Sequence, residues 1–102
     1  MKKVFVFKSG LVFRADPATV VVGGGDNFQV VNATRVDVIV TLPPGAADPT
    51  DPFEVNVPSG KKRPVPTRSQ GRDTALAYEY GIRTARGKRV IGNSDPILII
   101  EN

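Results

Sequence analysis

The chain has 102 residues, 40% hydrophobic and 24% charged, with a formal net charge of +4 and no Cys, His or Trp. A chain of this length predicts one small domain over residues 1–102, whose core rests on aliphatic and phenyl packing without a disulfide or a Cys/His metal staple. The missing His and Cys exclude Ser-His-Asp and Cys-His nucleophiles, structural zinc, type 1 copper and iron–sulfur clusters.

In chain order, Met1-Lys2-Lys3 is a basic start, but the apolar run behind it is only Val4-Phe5-Val6-Phe7. That is shorter than the roughly 7–15 residues of a secretory signal core, and no run approaches the ~18 apolar residues of a membrane-spanning helix. The expectation is a chain without a membrane span, either cytoplasmic or the mature form of an exported protein. No stretch keeps a helical repeat of apolar positions, whereas short β-branched and aromatic runs recur between Gly, Pro, Asn and Asp. They predict about eight strands: Lys3–Lys8, Leu11–Arg14, Thr19–Val22, Phe28–Asn32, Val36–Leu42, Phe53–Val57, Leu76–Arg83 and Ile97–Glu101.

Alternation sets the inward faces. Val36, Val38 and Val40 oppose Asp37 and Thr41, while Leu76, Tyr78, Tyr80 and Ile82 oppose Glu79, Gly81 and Arg83. Phe28 and Val30 form a third inward pair, and Phe53, Val55 and Val57 a fourth row. Ile97-Leu98-Ile99-Ile100 is apolar on both sides, which predicts a central strand or a covered outer face. Gly23-Gly24-Gly25-Asp26-Asn27 predicts a hairpin-like reversal. It is not a phosphate loop, because neither a Gly-Lys-Ser/Thr ending nor a helix follows. Pro43–Pro52 is a proline-rich connection, and Ser59–Asp73 a basic loop with a short edge strand at Arg63–Thr67.

Taken together, these segments resemble the cupredoxin-like family of small β-sandwiches. Phe13-Arg14-Ala15-Asp16-Pro17 running into Thr19–Val22 is similar to the family's F-x-P-x-x-V-x-V opening, and Gly25-Asp26-Asn27-Phe28-Gln29-Val30-Val31-Asn32 to its G-D-x-V-x-F-x-N signature. Leu42-Pro43-Pro44-Gly45 follows, then Phe53–Gly60 looks like its strand entering a Pro-x-Gly turn. Tyr78-Glu79-Tyr80-Gly81-Ile82 stands where the family writes Y-x-Y/F-x-C, and Ser94–Ile100 closes the chain as its last strand does. The resemblance implies an all-β Greek-key sandwich. It places Ile82 at the copper-ligating Cys and Asp37 near the first ligating His, with no His or Met between Thr84 and Asp95. Without thiolate and imidazole a blue-copper site is excluded, so no cofactor is expected.

Charge gathers unevenly along the chain. From Lys61 to Arg89 nine cations (Lys61, Lys62, Arg63, Arg68, Arg72, Arg83, Arg86, Lys88, Arg89) meet two acids, Asp73 and Glu79. The resemblance puts the segment Arg83–Asn93 at one end of the sandwich. Arg83, Arg86, Lys88 and Arg89 are therefore candidate contacts for an acidic protein or another anion, with Lys61, Lys62 and Arg63 as auxiliaries. A solvated loop that keeps a small protein soluble is the plainer account of the same residues. The run lacks interleaved aromatics, which argues against nucleic acid.

Asp48, Asp51 and Glu54 match no calcium loop, and Asn32-Ala33-Thr34, though a glycosylation tripeptide, reads as a turn cap. No acid pair is placed by strand phase to face a common pocket, so the expected function is a non-enzymatic binding module. The alternative is a structural protein that forms homo-oligomers through exposed sheet edges.

Overall fold

The computed structural model describes residues 2–23, 25–46, 54–68, 76–87 and 96–101. The described chain is all-β, with ten strands in three sheets, an arrangement consistent with a β-sandwich. In chain order they are β1 (Lys3–Ser9), β2 (Val12–Asp16), β3 (Thr19–Gly23), β4 (Asn27–Asn32), β5 (Val38–Thr41), β6 (Glu54–Val57), β7 (Lys62–Pro66), β8 (Leu76–Glu79), β9 (Gly81–Thr84) and β10 (Ile97–Glu101). The first sheet has the order β2-β1-β4-β7, the second β3-β10-β8 and the third β6-β5-β9. Two pairs are parallel, β1 with β4 and β10 with β3; the others are antiparallel. Among the described residues no helix is long and apolar enough to cross a membrane.

Ten strands stand where alternation suggests about eight, for two local reasons. The edge strand expected in the basic loop is formed as β7, paired to β4. The run Leu76–Arg83 is divided at Tyr80, whose amide donates to the Pro96 carbonyl (3.1 Å) instead of joining the β5 ladder. Since β8 and β9 flank this single residue, the second and third sheets continue into each other through one stretch of chain.

The glycine run does not make the expected hairpin. β3 pairs with β10 and β4 with β1 and β7, so the connection between β3 and β4 crosses from one sheet to another. Turn chemistry predicts the reversal but not the partner: Asp26 N donates to Gly23 O (3.0 Å), and Gly25 holds φ at 81°, a conformation side chains resist. A strand begun at Val36 also fails, and β5 starts at Val38, because the Val36 carbonyl is taken by the side chains of Asn32 at the end of β4 and of Thr34.

Strand phase does place the core. Val4 and Val6 of β1, Phe28 and Val30 of β4 and Val65 of β7 are buried beneath the first sheet. Val20 and Val22, Leu98 and Ile100, Val38 and Val40, Val57 and Ile82 are buried on the strands of the other two. Each such side chain contributes about 1.5–3 kcal/mol relative to exposure. β10 is the central strand of its sheet, with Leu98 and Ile100 inward and Ile97 and Ile99 half-buried on the other face. Phe53, the first residue of the fourth inward row, lies outside the described residues.

Phe28 and Tyr80 meet edge to face, ring centres 5.6 Å apart at 61°, joining the first sheet to the junction of the other two. The Tyr80 hydroxyl is buried there without a hydrogen-bond partner among the described residues, and burial pushes its pKa up. Replacing Tyr80 by Phe removes this unmet donor while keeping the ring, so Tyr80→Phe is expected to be more stable by about 1 kcal/mol in urea unfolding. The folded state resists phenolate formation and the unfolded state does not. Stability tied to Tyr80 is therefore complete below the ordinary value of 10.0 and falls as pH rises past it. Unfolding curves above that pH should fall less steeply for Tyr80→Phe than for the parent.

Candidate functional site

The chain leaves the first sheet at Asn32, the last inward position of β4 and only 1% exposed. A carboxamide this deep needs partners at every polar position, and the adjoining loop supplies them. Its Nδ2 donates to the carbonyls of Val36 (2.8 Å) and Val57 (3.0 Å). Its Oδ1 accepts from the Thr34 amide (3.0 Å) and hydroxyl (2.6 Å). Both Nδ2 protons are thus engaged in the interior, so the tripeptide Asn32-Ala33-Thr34 is a cap, not a sugar acceptor.

Three connections are fastened around this residue. Gly60 N donates to Asn32 O and Asn32 N to Lys61 O, which seats the 58–61 turn. The Ser59 hydroxyl donates to Thr34 O (2.7 Å), and its amide to the Asp37 carboxylate (2.9 Å). The Asp37 carbonyl accepts from Ala85 N (2.9 Å), bringing in the turn after β9, which closes with Gly87 N on Thr84 O. Gly60 takes φ 72°, the conformation that turns the chain into β7.

This framework separates the candidate cations. Lys61, Lys62 and Arg63 are exposed along the turn and β7, beside an open groove of about 420 Å³ lined by Val31 and Gly60. Arg86 is exposed in the turn tied to Asp37. Arg83 is directed elsewhere: its guanidinium donates to the Thr41 hydroxyl (2.8 Å) and pairs with Glu54 (3.0 Å) across the outer face of the third sheet. Lys88 and Arg89, like Asp48 and Asp51, lie outside the described residues. Among the described residues no cluster of three His, Cys, Asp or Glu side chains is present that could hold a metal.

Ile82, the position the resemblance gives to a sulfur ligand, is buried and paired with Val40. The sequence reading overlooks Arg35, exposed in the loop capped by Asn32, and Lys8 near the end of β1. Both are isolated cations without a surrounding charge run, so only the fold shows what lies beside them. No protein-family model and no curated protein sequence matches the chain.

The Asn32 bonds predict a local dependence. Asn32→Ala leaves the Val57 carbonyl and the Thr34 amide unmet, with the Thr34 hydroxyl still able to donate to the Val36 carbonyl, and is expected to lower stability by about 2–4 kcal/mol in urea denaturation. Accelerated amide hydrogen exchange should concentrate in residues 33–37 and 58–61.

Proposed function

We propose that this chain is a non-enzymatic, metal-free binding module of the cupredoxin-like, Greek-key type, which engages an anionic partner through the basic turn and edge strand. One observation carries the anionic partner: Lys61, Lys62, Arg63 and Arg86 are all exposed, none has an ion pair among the described residues, and their two turns are fastened to each other at Asp37. Cations on elements that are already ordered meet an oxyanion with little further loss of freedom. Arg83 is left out of this surface, since its guanidinium is engaged by Glu54 and Thr41 on the outer face of the third sheet.

The topological part of the proposal is supported by the connections. β3 to β4, β4 to β5 and β6 to β7 all cross between sheets, as Greek-key sandwiches require. The metal-free part is supported by the sequence, which has neither His nor Cys. Self-association through the β7 edge draws less support. β7 is an edge strand interrupted by Pro64 and Pro66, which offer no amide donor to a neighbouring chain.

Poly-L-glutamate is a suitable probe. It should bind the full chain with an affinity that falls steeply as salt is raised. The fourfold variant Lys61→Gln, Lys62→Gln, Arg63→Gln, Arg86→Gln should lose about tenfold or more, while Arg83→Gln behaves as the parent. Equal binding by the fourfold variant, or binding indifferent to salt, would refute the surface.

A further inference from the structure

Val6 and Asn32 form the last pair between β1 and β4. β1 nevertheless continues to Ser9, paired with β2, so the β1–β2 hairpin overruns the rest of its sheet. Position 8 keeps the inward phase of Val4 and Val6 but lies beyond the core, and it carries an exposed lysine. Lys8 pairs with Phe13, and its Nζ stands 5.6 Å from the centre of that ring. Opposite, residues 33–36 cross toward β5. Between hairpin and loop is a cavity of about 310 Å³ lined by Phe7, Lys8, Phe13 and residues 33–36.

The lining divides by chemistry. Phe13 and Val36 provide apolar wall, and Lys8 and Arg35 provide two exposed cations with no ion pair among the described residues. Among the described residues no acidic side chain lines the space. The loop wall is already fixed, because Thr34 and Val36 are held to Asn32 by three hydrogen bonds. A preformed cavity with an apolar body and a few convergent charges is the usual form of a small-molecule site, and its volume is at the small end of such sites.

We propose that this notch binds a small aryl oxyanion: a flat apolar ring that lies against Phe13 and Val36, bearing a carboxylate or phosphate that meets Lys8 and Arg35. Displacing the lysine from the Phe13 face to the oxyanion exchanges a cation–π contact for a charge-assisted hydrogen bond. The proposal does not rest on the basic turn, since Lys61, Lys62, Arg63 and Arg86 take no part in the lining.

The test is titration of 2-naphthoate into the isotope-labelled full chain, followed by amide shifts. Saturable shifts are expected at residues 7, 8, 13 and 33–36. The neutral 2-naphthalenemethanol and the ringless acetate should each bind about tenfold more weakly or worse. The double variant Lys8→Gln, Arg35→Gln alters two exposed side chains. With a parent-like spectrum, it should weaken naphthoate about tenfold and leave naphthalenemethanol unchanged. Absence of saturable shifts, shifts centred on residues 61–63 and 86, or undiminished naphthoate affinity in the double variant would each overturn the proposal.

Discussion

The inward row of β4 runs Phe28, Val30, Asn32, two wholly buried apolar side chains followed by an amide nearly as deep. Leaving that amide unpaired in a low-dielectric interior costs more than any one of its bonds contributes, so the surrounding chain has to be arranged to satisfy it. All four of its hydrogen-bonding positions are filled. The donors reach the loop toward β5 and the end of β6, and the acceptor folds Thr34 back on the strand it has just left. Aspartate offers no donors for the two carbonyls, and leucine satisfies nothing, so the position is restricted to a carboxamide of this length. The courses of the loop, of the 58–61 turn and, through Asp37, of the turn after β9 all follow from it.

With that frame in place, cations of equal formal charge have unlike roles. Arg83 is paired with Glu54 on the outer face of a sheet, Lys8 stands over an aromatic ring, and Lys61, Lys62, Arg63 and Arg86 face solvent. The net charge of +4 distinguishes none of these cases. What separates them is whether an acid, a ring or water lies within reach, which is a property of strand pairing.

The core was largely legible because phase along a strand is a local property: Val38 and Val40, Tyr80 and Ile82, and Phe28 and Val30 all point inward as alternation predicts. Features decided by distant chain were hidden. Nothing in Gly23–Asn27 tells whether the next strand joins the same sheet, and nothing around Val36 tells that Asn32 captures its carbonyl. The outward phase of Arg83 was readable, but Glu54 comes opposite only because β5 lies between β6 and β9. The notch was beyond reach for a similar reason: it exists because β1 outlasts β4, a difference in strand length that no single segment records.

The parallel pairing of β3 with β10 bears on how the chain reaches this state. Thr19–Gly23 has no other neighbour in its sheet among the described residues, and Ile97–Glu101 follows it after most of the sequence. Closing a loop of that length costs entropy before any contact repays it, so pairing β3 with β10 is intrinsically slower than forming a local hairpin. Until then Val20 and Val22 sit on a strand whose amides and carbonyls are unmatched, beside an incomplete core. The period of greatest exposure to wrong pairing is therefore set by the arrival of β10, and a chain deprived of that strand would present an open, apolar edge to its neighbours.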